Sequence, residues 1–323
     1  MRVAAAHFGI PPGAWLDLST GINPLGWRAP LGEMPAAAWS RLPEVEDGLE
    51  QAAREYYGSA HLLPVAGSQA AIQVLPRLFS PARVAVVEPT YAEHAHAWRA
   101  AGHAVVGVAL SDLGGDLEGF DGVVVVNPNN PTGRIVPRAR LLDWHGRLAA
   151  RGGWLVVDEA FMDSDPGESL TPHPPMAGLF VLRSLGKFFG LAGLRVGFLL
   201  ALPEALEQAR ELLGPWGLSG PSRWLATRAL RDRDWQAAAR LSLRTRSREL
   251  VRLLDRHGLP VSGHTALFAW VATERSEEWW TEFGRNGILV RRFLRPGGVR
   301  FGLPGGEAEW RRLEGVLGAL SGR

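Results

Sequence analysis

The chain has 323 residues, of which 46% are hydrophobic, so it can bury the core of one large domain and a smaller one. It contains no cysteine, which excludes disulfides, thiolate metal sites and cysteine nucleophiles and fits a cytoplasmic protein. The net charge is only +2 and no apolar run reaches about 18 residues, so we expect neither a nucleic-acid partner nor a membrane span.

Three regions follow one another along the chain. Residues 1–40 are rich in Pro, Gly and Ala and predict an extended N-terminal arm. Residues 41–205 alternate apolar strand-like runs with helical patterns, which predicts a large α/β domain with a mostly parallel sheet between helices. Residues 206–323 predict linker helices and a small α+β domain. The predicted helices are 44–57, 70–79, 91–101, 138–150, 235–257, 276–285 and 308–320. The predicted strands are 83–87, 104–108, 123–126, 154–157, 179–182, 196–200, 266–271, 288–290 and 299–303.

One lysine, Lys187, stands against 34 arginines. Only a primary amine can form an imine with an aldehyde and release it again, whereas a guanidinium stays protonated at any working pH. Lys187 lies in the segment 183–195, between two strand-like runs. This setting favours a Schiff-base lysine over an ordinary surface lysine.

Two segments of the chain carry groups suited to binding an anion. Gly67-Ser68-Gln69 opens a helix whose free N–H groups can bind an anion, although an ordinary N-cap is the alternative interpretation. Ser184 and Arg195, on either side of Lys187, add a hydroxyl and a guanidinium suited to a phosphate. A Ser-x-x-Lys acyl-transfer site is the competing interpretation, but the companion motifs of that class are missing.

An amide and an acid follow two further strands. The segment 127–133 has two Asn-Pro steps, which make a stiff turn that can present an amide side chain. Asp158 ends a buried strand, where an acid is costly unless a cation pairs with it. The four loops together offer a phosphate site, an acid for a ring nitrogen, a donor for a phenolic oxygen and a Schiff-base lysine. Pyridoxal 5′-phosphate requires this combination.

Read in chain order, these motifs resemble those of a known family. Gly67-Ser-Gln69, Pro89-Thr-Tyr91, 127–133, Asp158-Glu-Ala-Phe161, Ser184-Leu-Gly-Lys187 and Gly193-Leu-Arg195 are similar to the class I/II aminotransferases of the type I pyridoxal-phosphate fold. Within that superfamily, the segment 16–26 (LDLSTGINPLG) resembles the start of the threonine-phosphate decarboxylases of cobalamin biosynthesis. Their relatives are the histidinol-phosphate aminotransferases.

The resemblance implies a role for each matching residue. Lys187 would form the Schiff base, Asp158 would pair with the pyridinium nitrogen, Asn130 would donate to the phenolic oxygen, and Tyr91 would stack on the ring. The residues implied to hold the cofactor phosphate are Gly67, Ser68, Gln69, Ser184 and Arg195. Those implied to bind substrate are Arg300 for a carboxylate, Arg291 for a second anion, Gly21 in the arm segment, and Asn130.

Phe161 bears on the choice of reaction. Most aminotransferases of the family have Tyr at this position. The threonine-phosphate decarboxylases, which this chain resembles, have Phe. We therefore favour loss of CO₂ from L-threonine O-3-phosphate, giving (R)-1-amino-2-propanol O-2-phosphate. An aminotransferase acting on a phosphorylated substrate is the alternative, and a non-catalytic cofactor-binding protein is a third interpretation.

Other residues carry weaker signals. His94 and His96 lie two apart on a predicted helix and so face apart, which argues against a metal pair, and we expect no metal. The basic segment 240–256 predicts a solvated helix face rather than a nucleic-acid footprint. The resemblance also implies a homodimer. Related chains often have Tyr at the position of Leu42, which bears on the contact between the subunits.

Overall fold

The computed structural model of the protein describes residues 1–114 and 117–321. The chain divides into two compact units. The large unit comprises Trp27–Asn130 and Ile135–Ala237, and the small unit comprises Met1–Gly26, Pro131–Arg134 and Ala238–Arg323. The boundaries predicted after residues 40 and 205 depend on changes in composition, which do not report packing, and they stay a prediction.

The secondary structure elements are numbered in chain order. The helices are α1 (Arg2–Phe8), α2 (Ala37–Ser40), α3 (Leu49–Tyr57), α4 (Ser68–Val74), α5 (Glu93–Ala100), α6 (Arg138–Ala149), α7 (Pro203–Leu213), α8 (Gly220–Arg231), α9 (Arg233–Arg256), α10 (Ser276–Arg285) and α11 (Glu307–Ser321). The strands are β1 (Leu16–Asp17), β2 (Leu63–Val65), β3 (Arg83–Glu88), β4 (Ala104–Ala109), β5 (Gly122–Val126), β6 (Trp154–Asp158), β7 (Leu179–Ser184), β8 (Gly197–Leu200), β9 (Gly263–Thr265), β10 (Phe268–Ala272), β11 (Ile288–Leu289), β12 (Arg291–Leu294) and β13 (Gly297–Gly302).

A seven-stranded sheet forms the centre of the large unit, in the order β2-β8-β7-β6-β5-β3-β4. The strands from β7 to β4 in this order are parallel, whereas β8 is antiparallel to both of its neighbours. Every residue of β5, β6 and β7 is buried. Continuous burial is typical of parallel strands covered on both faces, and it explains why these strands appear in the sequence as unbroken apolar runs.

Alternate side chains of the sheet pack against one layer of helices. Val124, Val156 and Leu182 belong to a buried cluster that also contains residues of α4, α5 and α7. In the same cluster Trp154 stacks on Phe79, with the ring centroids 3.9 Å apart. The intervening strand residues point to the opposite face, because the side-chain period of a strand is two. This close packing fixes the ends of the strands, where the candidate site residues lie.

The small unit contains a four-stranded antiparallel sheet, in the order β12-β13-β10-β9, and a two-stranded parallel sheet of β1 and β11. The register of β12 and β13 places Arg291 directly opposite Arg300. Helix α10 contacts β12 and β13. Helix α1 contacts α10, with the rings of Phe8 and Trp280 5.2 Å apart.

The beginning of the chain differs from the predicted extended arm. Residues 2–8 form α1, so the extended conformation is wrong for this segment. Ala4 and Ala5 are buried with Trp15, which gives the helix an apolar face to pack. Gly9 ends the helix in the left-handed conformation, and its N–H donates to the carbonyl oxygen of Ala5.

Candidate active site

The carboxyl ends of β5, β6 and β7 lie side by side in the large unit. The parallel register pairs Val126 with Asp158, and Asp158 with Leu182. Asp158 therefore ends the middle strand, while Ser184 ends β7 and Lys187 follows three residues later. Open α/β sheets bind ligands outside the carboxyl ends of their strands. The structure thus gathers these three predicted residues at the edge where chemistry is expected.

The Asp158 carboxylate is buried and held on both sides. Its side chain is 5% exposed, and Oδ2 lies 2.9 Å from Nε2 of His94. Its Oδ1 accepts a hydrogen bond from the backbone N–H of Ala160 at 3.0 Å. These two contacts fix the plane of the carboxylate, so that it can meet a ring nitrogen without reorganisation.

His94 is a site residue to which the sequence analysis assigned no role. It is 1% exposed, whereas His96 is exposed, so the two do face apart as predicted. The sequence contains one usable signal. His94 follows Tyr91 by three residues, about one helical turn, on a helix that begins after β3, close to the same edge of the sheet.

Lys187 is half-buried, and its Nζ lies 5.3 Å from the centroid of the Phe161 ring. An ammonium over an aromatic face is attracted by the ring quadrupole. Phe161 is 4% exposed and follows Asp158 by three residues, so one short segment presents an acid and an aromatic face. Ser184 Oγ accepts from the N–H of Gly186 at 3.2 Å, which holds the turn leading to Lys187.

Donors for an anion meet at the start of α4. A Cβ atom built on Gly67 would lie 2.5 Å from Nη2 of Arg195, so this glycine is needed for the guanidinium to approach. A Cβ on Gly197 would lie 2.5 Å from the backbone nitrogen of Ser68. Arg195 itself has φ of +56°, an uncommon backbone conformation for a non-glycine residue that is often found at functional sites. A guanidinium beside the first N–H groups of a helix fits a phosphate.

Tyr91 and Gln69 contact each other. The Tyr91 hydroxyl donates to Oε1 of Gln69 at 3.3 Å, and Nε2 of Gln69 donates to the Glu93 carboxylate at 3.0 Å. Tyr91 is 41% exposed, as a ring that receives a ligand on its face would be. Gln69 is thus held next to the predicted phosphate site, with its amide directed at Tyr91 and Glu93.

The turn that carries Asn130 is closed by the buried side chain of Asn127. The Asn127 amide donates to the carbonyl of Val136 at 3.0 Å and accepts from its N–H at 2.8 Å. Asn129 donates to the carbonyl of Pro89 at 3.0 Å, which ties the turn to the segment after β3. Asn130 is half-buried between these fixed points.

Arg300 is buried in the small unit, on β13. Its Nη2 donates to the carbonyl of Ser19 at 2.8 Å, two residues before the buried Gly21. Its guanidinium lies over the Phe268 ring, 5.1 Å from the centroid. Burial, and to a smaller extent the neighbouring charge of Arg291, lower the pKa of Arg300 to about 10. Two like charges directly opposite in a sheet repel, and an anion bound beside them would relieve the repulsion.

The comparisons with known proteins agree with this geometry. The model of the aminotransferase class I and II family matches residues 36–312. The chain belongs to this family. Membership confirms the predicted pyridoxal-phosphate cofactor and the type I fold. The individual roles assigned to the site residues stay predictions.

Two relatives cover nearly the whole chain. A threonine-phosphate decarboxylase of Pseudomonas aeruginosa is 51% identical over 98% of this chain and 95% of its own length. A threonine-phosphate decarboxylase of a Sinorhizobium species is 43% identical, with 98% and 96% covered. A histidinol-phosphate aminotransferase of Streptomyces avermitilis is 32% identical over 72% of this chain and 68% of its own length.

Solved structures have the same fold. The histidinol-phosphate aminotransferase of Clostridium acetobutylicum superposes with a TM-score of 0.85 at 22% identity, covering 95% of this chain and 99% of that one. The L-threonine-O-3-phosphate decarboxylase of Porphyromonas gingivalis superposes with a TM-score of 0.81 at 19% identity, covering 95% and 100%. At this identity the likeness is one of fold alone.

Proposed function

We propose that the protein is a decarboxylase that converts L-threonine O-3-phosphate into (R)-1-amino-2-propanol O-2-phosphate and CO₂, as a step of cobalamin biosynthesis. The observation that carries the proposal is the 51% identity to a threonine-phosphate decarboxylase over 98% of this chain. Phe161 agrees with this choice, because it places a ring without a hydroxyl group beside Lys187.

The large unit supplies each group that pyridoxal 5′-phosphate needs. We assign the phosphate to Ser184, Arg195 and the backbone at Ser68, the ring nitrogen to Asp158, the phenolic oxygen to Asn130, and the aldehyde to Lys187. The donors near Gly67 fit a phosphate because the glycine leaves room for the Arg195 guanidinium. When bound, the cofactor is an electron sink for the electron pair left at the substrate α-carbon when CO₂ departs.

Four side chains of the large unit then have defined tasks. The Asp158 carboxylate keeps a proton on the ring nitrogen, and His94 holds that carboxylate in place at 2.9 Å. The Lys187 amine is the group we propose to deliver the proton that replaces CO₂ at the α-carbon. Phe161 covers one side of this amine with an apolar ring, which keeps water away from it.

The small unit supplies the anion-binding residues. We propose that Arg300 binds the substrate carboxylate and that Arg291 binds the second anionic group, the phosphate. Support comes from the pKa of Arg300, which burial and Arg291 lower to about 10, because an anion bound beside this guanidinium would offset both effects. Charge-assisted contacts of guanidinium with carboxylate or phosphate are among the stronger hydrogen bonds in proteins.

The test is a direct competition between two reactions. Purified holoenzyme is given L-threonine O-3-phosphate, and the release of CO₂ is compared with amino transfer to 2-oxoglutarate. We expect CO₂ release, and we expect the Lys187→Ala variant to lose it by at least about 10³-fold, because covalent catalysis and proton transfer both depend on this amine. Amino transfer without gas release would contradict the proposal.

Transamination of a phosphorylated substrate remains the second candidate. The histidinol-phosphate aminotransferases of Mycobacterium tuberculosis support it, since one is 33% identical over 78% of this chain. Histidinol phosphate added with 2-oxoglutarate would distinguish the two functions, because the decarboxylase should leave it unchanged.

We further propose that the protein is a homodimer. Support comes from four exposed apolar side chains of the large unit: Leu31, Trp39, Leu42 and Val45, of which Trp39 is 72% exposed. All four lie between residues 31 and 45, and large exposed apolar patches often mark a protein interface. No helix in the described part of the chain is long and apolar enough to cross a bilayer. The cytoplasmic location stays a prediction.

A further inference from the structure

A buried ionic cluster lies directly behind the cofactor-binding residues. Its centre is Arg183 on β7, which is 2% exposed and immediately precedes Ser184. Arg183 Nη1 donates to the Glu159 carboxylate at 2.6 Å and to Ser169 Oγ at 3.1 Å. Nη2 donates to the Asp163 carboxylate at 2.5 Å. One guanidinium therefore binds two carboxylates and a hydroxyl in the interior of the large unit.

The opposite charges of the cluster stabilise one another in the protein interior. Burial alone would lower the pKa of Arg183, but Asp163 and Glu159 raise it above its usual range, so the guanidinium stays charged. Burial raises the pKa of Glu159, and the charge of Arg183 and the hydrogen bond from Ser169 partly offset this rise. The guanidinium also lies 4.7 Å from the Tyr57 ring centroid. A buried ion pair is weak evidence for stability, because apolar residues of similar volume in its place often stabilise a protein equally well. This cluster is therefore better suited to specifying geometry.

The cluster fixes a segment that touches the catalytic groups. Glu159 and Asp163 lie on either side of Phe161, whose ring is 5.3 Å from Lys187 Nζ. The backbone N–H of Glu159 donates to the carbonyl of Leu182 at 2.9 Å, which ties the segment to β7 a second time. The next N–H, that of Ala160, donates to Asp158. Arg183 thus sets the segment 159–163 relative to the strand that leads to Lys187.

We propose that Arg183 is a positioning residue for the reaction. Its hydrogen bonds to Glu159 and Asp163 fix the segment between them, and so orient the Phe161 ring against Lys187 and the Ala160 N–H against Asp158. The proposal builds on the proposed function, since it assumes that Lys187 carries the cofactor. Displacement of the segment by a fraction of an ångström would move the Phe161 ring and the Ala160 N–H together. Catalytic geometry must be held within about 0.5 Å by such supporting contacts.

The chain offers a matched control. Arg223 on α8 is also buried, and it also binds two carboxylates, those of Asp47 and Glu50, at 2.6 to 2.8 Å. Burial would lower the pKa of Arg223, but the two acids raise it, as at Arg183. These partners join α8 to the start of α3, and none of them is a candidate site residue. Arg223→Lys therefore changes a buried guanidinium that binds two carboxylates, away from the chemistry.

The experiment compares Arg183→Lys with Arg223→Lys as holoenzymes. Both variants should lower Tm. We expect only Arg183→Lys to shift the pH midpoint of the visible absorbance of the bound cofactor, by at least half a pH unit, and to lower kcat at least tenfold while KM for threonine phosphate changes less than threefold. An unchanged midpoint and kcat in Arg183→Lys, or the same changes in Arg223→Lys, would overturn the proposal.

Two further variants keep the test decisive. If Arg183→Lys does not fold, Asp163→Asn removes one charge and leaves the bond from Arg183 to Glu159, and the same midpoint and kcat are measured on it. Phe161→Leu by itself should also shift the pH midpoint. The double variant Phe161→Leu/Arg183→Lys should shift the midpoint by less than the sum of the two single shifts. Simple additivity would show that Arg183 does not act through Phe161.

The absorbance readout separates this proposal from the proposed function. A protein that binds the cofactor but transaminates still shows the midpoint shift, because the measurement uses no substrate. A wild-type protein that takes up no cofactor has no visible band, and that result would contradict the proposed function itself.

Discussion

The contact of His94 with Asp158 predicts a catalytic effect for a histidine outside the family motifs. A hydrogen bond to a charged group contributes about 1.5–3 kcal/mol, so we expect His94→Leu to lower kcat for CO₂ release roughly ten- to 100-fold. The pair joins Nε2 and Oδ2 at 2.9 Å, and both side chains are buried. The loss should fall on kcat, because the freed carboxylate holds the ring nitrogen less well.

The matched control for this prediction is His96→Leu. His96 lies two residues further along α5 and is exposed, so its replacement should leave kcat within about twofold of wild type. Equal kcat values for the two variants would show that His94 serves packing alone. Cofactor content is measured in parallel, so that lost cofactor is not mistaken for lost turnover.

At the scale of elements, the junction of β8 with α4 predicts a strong effect of one methyl group. A Cβ on Gly197 would lie 2.5 Å from the Ser68 nitrogen and 2.8 Å from the Arg183 carbonyl oxygen, so Gly197→Ala must push the start of α4 away from β7 and β8. Such overpacking costs about 1–3 kcal/mol. We expect the Kd for pyridoxal 5′-phosphate to rise about ten- to 100-fold, measured by equilibrium titration of the visible absorbance.

Gly217→Ala is the control for that measurement, because nothing lies within 4 Å of a Cβ built there. It should bind the cofactor as the wild type does. If Gly197→Ala also binds normally, the start of α4 does not position the phosphate.

Elements with a long, continuous pattern were the ones that the sequence could predict. Helix α10 has the predicted bounds, 276–285, because its amphipathic pattern is complete and flanked by polar residues. Strand β5 contains the predicted run of four valines. Short elements such as β2 and β9, with three residues each, carry too few residues to display a period, and they were not predicted.

Local turn chemistry explains a second kind of error. Helix α3 was predicted from residue 44 but begins at Leu49. The Asp47 carboxylate accepts the N–H of Leu49, and Gly48 has φ of +89°, so the helix cannot continue upstream. The apolar pattern alone does not report these contacts.

The candidate site was predictable where a residue acts next to a strand end, and unpredictable where it acts through a distant partner. Asp158 and Ser184 end buried strands, Lys187 follows one, and all three belong to motifs, so sequence position alone indicated them. The contact between His94 and Asp158 joins residues 64 apart, and that between Arg183 and Glu159 joins residues 24 apart. The local sequence pattern at His94 or Arg183 does not identify the partner of either residue. The order of the strands in the sheet determines which residues meet.

For the whole molecule, the exposed apolar group of Leu31, Trp39, Leu42 and Val45 is the feature that an isolated chain explains least. Of these four residues, Leu42 also lines a cavity of about 910 Å³ in the large unit, together with residues of α8 such as Trp224 and Arg228. Exposing an aromatic ring to water costs roughly 1.5–3 kcal/mol relative to burying it. A second copy of the chain that covers this face would recover that free energy.

The dimer proposal therefore predicts that a charge at Trp39 separates the subunits. An ionised carboxylate in an apolar interface has no partner and is strongly unfavourable, so Trp39→Glu should sediment as a monomer at micromolar concentration, where the wild type sediments as a dimer. The control is Leu241→Glu, since Leu241 is 69% exposed, much as Trp39 is, but lies on α9 in the small unit. It should remain dimeric. A monomeric wild type, or a Trp39→Glu variant that still dimerises with the affinity of the wild type, would show that this face is not the interface.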